Sequence, residues 1–253
     1  MEVACVDCKA WACFPDVSTA KTGKRESPPY CPANVQQDVC EAALAKYSGA
    51  TKEFARVAAL VENACYAIDP SSGSAVLPMI TTHSRAEEII LFAKVAGYNK
   101  LGIVYCTEMQ QEASLYTDVL ENNGFDVVAI CCKAGAIPKE KFGVAEGEKL
   151  YGASSEETAC NGVILAELLN ADNTDMNVVM GLCVGQDALL YKYADAFSLP
   201  FIVADRVYGG ATMEGAYQVF NSWGYRNFTD EIGSGFDLMR AMMVNRLKRS
   251  ERP

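Results

Sequence analysis

Four short β-branched runs, each parted from the next by an amphipathic helical stretch, constrain this chain more than any other feature. They are LGIVYC (101–106), DVVAIC (126–131), NVVMGLC (177–183) and PFIVAD (200–205). Strands that alternate with helices specify parallel βαβ units, because a parallel pair needs a crossover long enough to hold a helix. The reading is an α/β fold: a doubly wound, Rossmann-like, mainly parallel sheet of about four or more strands. The intervening stretches support it. SRAEEIILFAKVAGY (84–98) opens with Ser84 and carries Glu87 three places on, a capping box, and it closes at Gly97. His83, just before that cap, reads as a local capping or surface histidine. TEMQQEASLYTDVLENNG, GVILAELLN and DALLYKYADAF are the later helices. Upstream, residues 35–67 are Ala-rich and helical with a break at Ser48-Gly49, DPSSGSAVLP (69–78) is a loop, and 231–249 reads as a last helix.

Composition then removes whole classes of function. A chain of 253 residues can bury a core without disulfide staples, and with half its residues apolar and 21% charged it is not disordered. No apolar run approaches the roughly 18 residues of a membrane span, and the start shows no signal peptide. A net charge of −10 argues against a nucleic-acid partner. The expected setting is cytoplasmic, and the expected partners are a small-molecule substrate or a redox partner protein. Nothing in the pattern sets the oligomeric state.

The chain has 11 cysteines and a single histidine, His83. An odd number cannot pair completely, and a reducing compartment turns clustered cysteine toward metal or redox chemistry. Scarce histidine excludes zinc sites built on two or three imidazoles. Any coordination here is mainly by sulfur. Cys106, the Cys131-Cys132 pair and Cys183 stand at the ends of three of the four expected strands. Right-handed crossovers put all the carboxyl ends of a parallel sheet on one side, where such folds bind ligands. Cys106, Cys132 and Cys183 are therefore expected to converge on one crevice. Cys132 is preferred to Cys131 because it lies just past the strand, where the loop turns inward. Cys160, at a helix start, joins them if the long preceding loop folds over the top. Cys40 and Cys65, within Ala-rich helices, read as small buried hydrophobes.

Residues 1–33 read as a separate segment, ahead of an α/β domain spanning 34–253. The segment holds Cys5, Cys8, Cys13 and Cys31 in the spacing C-x2-C-x4-C-x17-C, with little hydrophobic periodicity. A metal is the natural organiser of such a segment. Four thiolates suit structural Zn²⁺ or an iron–sulfur cluster, and Pro32 after Cys31 tilts the reading toward iron–sulfur. Trp11 and Phe14 would wall the site from water.

Taken together, CVDCKAWAC with a later Cys-Pro, RAEEIILFAKVAGYNKLGIVYC, DVVAICCKAGAI, and GLCVGQD followed by DRV resemble an uncharacterised prokaryotic family of predicted metal-binding proteins. The resemblance covers most of the chain. It implies the N-terminal quartet as the metal site, and Cys106, Cys132, Cys160 and Cys183 as part of the family pattern. Members come largely from anaerobes, which suits oxygen-sensitive clusters. Two departures stand out: Gln186 where a histidine is expected, and Gly162 where a proline is expected after Cys160-Asn161. The resemblance carries no reaction with it.

The leading expectation is an iron–sulfur protein, 4Fe-4S in type. A second sulfur-rich centre at the strand edge would serve electron transfer or reductive chemistry, as in an iron–sulfur oxidoreductase. The alternative is a structural zinc segment on a non-redox binding domain. A thiol carrier using the vicinal Cys131-Cys132 pair is the weakest reading, since it lacks the C-x-x-C redox spacing.

Overall fold

The computed structural model describes residues 5–9, 13, 27–68 and 79–206. The chain divides into two compact units, 1–201 and 202–253. In the first, helices α1 (Pro32–Val35), α2 (Gln37–Leu44) and α3 (Gly49–Ala64) come first. A small antiparallel pair follows, β1 (Tyr66–Ile68) with β2 (Met79–Thr81). Then come α4 (Arg85–Ala96), β3 (Lys100–Tyr105), α5 (Gln110–Asn122) and β4 (Asp126–Cys131). After a long loop the chain continues through α6 (Gly162–Ala171), β5 (Met176–Met180), α7 (Val184–Tyr193) and β6 (Phe197–Ile202). The expected loop at 69–78 and the expected helix at 231–249 lie outside the described residues.

The main sheet is parallel, in the order β4-β3-β5-β6. The chain moves from β3 to β4 on one side, then crosses back to lay β5 on the other side of β3. Strand order therefore reverses between β3 and β5, and the crevice at their carboxyl ends is where a fold of this kind receives ligands. Leu101, Ile103, Val104, Val178, Val179 and Met180 are fully buried, as a central parallel sheet covered on both faces requires. Even-numbered positions face α6 and α7: Val104, Val128 and Ile130 share one apolar cluster with Leu165, Leu169 and Leu190.

The local signals behave as their chemistry demands. Ser84 accepts from the Glu87 backbone N–H while the Glu87 carboxylate accepts from the Ser84 backbone, completing the capping box of α4. Gly97 closes that helix in the left-handed region, at φ 75°, which only glycine adopts without strain. Thr82 Oγ1 lies 2.8 Å from the Nδ1 of exposed His83, a local role as expected.

Several boundaries differ from the sequence expectation, the last strand among them, which runs Phe197–Ile202 rather than 200–205. The helix expected to run through Ala67 stops at Ala64, and Tyr66–Ile68 pairs with a distant strand instead. The helix expected to reach Phe197 stops at Tyr193, because the Asn170 side chain grips the turn beyond it. Asn170 Nδ2 donates to the Tyr193 carbonyl at 3.0 Å, and its Oδ1 accepts from the Asp195 N–H at 2.9 Å. Finally, β5 ends at Met180, so Cys183 is not a strand-end residue but the N-cap of α7.

Candidate metal centre

The register of β3 fixes where the first sulfurs go. Tyr105 lies opposite both Cys131 and Met180. The ladder continues one step further, with the Cys132 N–H donating to the Tyr105 carbonyl (2.7 Å) and the Cys106 N–H to the Met180 carbonyl (2.9 Å). Cys106 and Cys132 are therefore neighbours just past adjacent strands. Alternation puts both on the even-numbered face, against the α6–α7 cluster. Cys132 is 2% exposed, and Cys131 points to the other side of the sheet by the same alternation.

Cys160 arrives by the loop between β4 and α6. That loop doubles back as an irregular ribbon: Pro138 bridges Thr158 antiparallel, the Lys139 N–H donates to the Glu157 carbonyl, and the Ala159 N–H to the Ile137 carbonyl. Two ion pairs hold it, Lys139 with Glu157 and Lys149 with Glu140. Glu157 also accepts from the Tyr151 N–H and the Ser155 hydroxyl. The Lys139 hydrogen bond first, then the Tyr151 N–H, hold its carboxyl down at about 2. The ribbon ends with the Asn161 N–H donating to the Cys132 carbonyl at 3.1 Å, which sets Cys160 beside Cys132.

The outcome is a sulfur cluster. Cys160 Sγ donates to Cys132 Sγ at 3.5 Å. Cys106 is close enough to act on the Cys132 thiol, and Cys183 acts on Cys160 electrostatically. The structure thus brings Cys132 and Cys160 into contact and packs Cys106 on the same cluster, while Cys183 lies near enough to Cys160 to act on it. Burial raises the Cys132 thiol, and burial with the neighbouring sulfurs raises Cys160 to about 12. Thiols held this firmly in the protonated form are poor nucleophiles. A cation would reverse that balance, since a coordinating thiol is deprotonated outright. Among the described residues no group of three or more His, Cys, Asp or Glu side chains is arranged to hold a metal ion as it stands.

The N-terminal quartet is a different case. Cys5 and Cys13 are exposed, and Cys8 and Cys31 half-buried. The Cys8 N–H donates to the Cys5 carbonyl at 3.1 Å, Cys31 caps α1, and the Tyr30 hydroxyl reaches the Asp7 carbonyl at 3.4 Å. The turn with Cys5 therefore lies near the residue preceding Cys31. Trp11 and Phe14 lie outside the described residues. Of the remaining cysteines, Cys65 packs with Val57 and Val61 as expected. Cys40 does not. It is exposed, because α2 buries none of its residues.

Some features of the site had no sequence signal. The two positions that depart from the resembled pattern touch one another, with the Gly162 N–H donating to Gln186 Oε1 at 2.5 Å. Proline at 162 has no N–H and could not make this bond. Asn161 Oδ1 and Asp187 Oδ1 are buried with no hydrogen-bond partner. Burial raises the Asp187 carboxyl. No helix among the described residues is long and apolar enough to cross a membrane.

Residues 31–199 match the family described as "Protein of unknown function (DUF1847)". The chain is also 38% identical over 134 residues to "Uncharacterized protein MJ0455" of Methanocaldococcus jannaschii, an alignment covering 53% of this chain and 67% of that protein. No solved structure matches it.

Proposed function

The chain belongs to the DUF1847 family of unknown function, and from that premise we propose that it is a metal–thiolate protein. Its principal centre is Cys106, Cys132, Cys160 and Cys183. The observation that carries this reading is the Cys132–Cys160 sulfur contact at the strand-order reversal, with Cys106 packed on the same cluster and Cys183 acting on Cys160 electrostatically. The centre is an iron–sulfur cluster of 4Fe-4S type, and Cys5, Cys8, Cys13 and Cys31 form a second metal site that organises residues 1–33. A cluster at the ligand-binding edge of the sheet suits electron transfer or reductive chemistry on a small molecule in the cytoplasm, with a redox protein as electron source. Acidic net charge weighs against nucleic acid as the partner.

One observation favours a second reading for the metal. Two thiolates about 2.3 Å from one tetrahedral ion sit about 3.8 Å apart, whereas ligands to separate irons of a cluster lie roughly 6–7 Å apart. The 3.5 Å between Cys132 and Cys160 is nearer the first spacing. A single Zn²⁺ or iron ion is the form this geometry needs least adjustment to hold. Metal and acid-labile sulfide content of anaerobically prepared protein decides. Iron with sulfide, and visible absorption lost in Cys132→Ser, is the expected result. Zinc without sulfide selects the single ion. Protein that is metal-free as isolated, and that takes up neither metal, ends both readings.

A further inference from the structure

Against Cys160 lies a cavity of about 380 Å³, within the roughly 300–1,000 Å³ of small-molecule sites. Its walls are mainly apolar: Phe142, Val144, Ala159, Val163, Ile164 and Leu189. The charged side chain that lines it, Lys139, is already paired with Glu157. Gln186 Oε1 is taken by the Gly162 N–H. That leaves Asn161. This residue lines the cavity and is 2% exposed, and its Nδ2 donates to the Ala134 carbonyl, which fixes the orientation of the amide. Its Oδ1 is buried and accepts from nothing. A buried amide oxygen left unpaired is costly and uncommon in native proteins. An orphan acceptor in a residue that lines an apolar cavity calls for a ligand that brings the donor.

We propose that this cavity binds a small, neutral, largely apolar molecule carrying one N–H or O–H donor, which Asn161 Oδ1 receives, so that the molecule rests against the Cys160 sulfur. Neutrality follows from the walls, where the one cationic group is matched by its own carboxylate. A hydrogen-bond donor follows from the orphan oxygen. The proposal deepens the metal-centre reading and rests on it for the chemistry that follows binding, though not for the binding itself.

Indole and benzofuran test this with the full chain, because they share shape and size and differ in one N–H. Binding is followed by nuclear magnetic resonance on the protein as isolated and again after chelation. Indole is expected to shift the Asn161 side-chain amide and the Gly162 and Val163 backbone signals, and to bind about tenfold tighter than benzofuran. Val163→Trp, which fills the cavity from its half-buried wall, is expected to abolish indole binding while the thermal transition persists. Equal affinity for the two probes, or no indole shift at millimolar concentration, overturns the proposal. So does undiminished indole binding by a folded Val163→Trp chain. If that variant does not fold, the probe pair on the unaltered chain decides alone. Indole binding by protein that is metal-free as isolated and takes up neither iron nor zinc fails the metal reading and leaves this one standing. Metal at the cysteines with no discrimination between the probes does the reverse.

Discussion

Two groups of four cysteines sit in this chain, and they are held by opposite means. The strand-edge group is positioned by structure that exists without any ligand: β3 and β4 in register, an ion-paired ribbon, and the packing of α6 on α7. Among the described residues the N-terminal group shows no such frame. Its first turn, Cys5–Asp7, buries nothing, and neither α1 nor α2 contributes a buried residue. Metal at the first group would meet cysteines that the fold already holds near one another. At the second it would create the site. That difference governs how strongly each responds when metal or ligand is removed.

The largest expected effect exposes this directly. Cys8→Ser should release residues 1–33 to fast amide exchange while the α/β core unfolds in its usual cooperative transition. A structural metal can supply on the order of 10 kcal/mol to so small a segment. Cys132→Ser should do the converse: metal at the strand edge is lost, residues 1–33 stay protected, and the core is destabilised by about 1–3 kcal/mol because a hydroxyl enters an apolar cluster. Hydrogen exchange and thermal unfolding of both variants read the contrast. If Cys8→Ser erases the core transition, the two regions are one unit and the comparison collapses.

The same contrast explains what could be read from the chain in advance. Ser84, Glu87 and Gly97 act within one helix, so their roles are visible in a string of fifteen letters. Cys106 and Cys132 were legible because parallel strands align their ends whatever the loops do. Membership in the family was legible too, through motifs spread over most of the chain. Cys160 was only conditionally readable. Its position depends on Pro138 meeting Thr158 and on the ion pairs of the ribbon, contacts between residues far apart in sequence. The cavity, the orphan Asn161 oxygen and the Gly162–Gln186 bond belong to the approach of α6 to α7 and have no local signature. Tyr66–Ile68 failed for a related reason, since three residues become a strand only through a partner beyond the intervening loop.

A smaller effect tests whether the strand-edge frame is as rigid as its packing suggests. A Cβ at Gly162 would overlap the Gln186 carbonyl oxygen and lie 2.9 Å from Leu189 Cβ. Gly162→Ala must therefore push α6 from α7, at the mouth of the cavity and one residue from the Asn161 cap. Overpacking of this kind costs about 1–3 kcal/mol. Thermal unfolding should show that loss, and Cys160 should be displaced enough to weaken metal retention several-fold. An unchanged transition would mean that the helices part freely, and that the frame is softer than the comparison requires.

The smallest effect concerns the ribbon that carries Cys160. The Lys139 ammonium and the Tyr151 N–H hold the Glu157 carboxyl at about 2 when folded, below the ordinary carboxylate value of about 4.3 when unfolded. A depressed carboxyl stabilises the fold above its unfolded value and loses that contribution as pH falls through its folded value. The stabilisation is thus complete above about pH 4.3 and fades toward about pH 2. Glu157→Gln keeps the shape and removes the charge, so it should flatten the pH dependence of amide protection across residues 137–160 in that window. Protection of β3 and β5, which do not lean on the ribbon, should change little. Should the variant instead leave the acid response of the ribbon untouched, the Lys139–Glu157 pair is not what returns Cys160 to Cys132, and the ladder from Pro138 to Thr158 carries that task by itself.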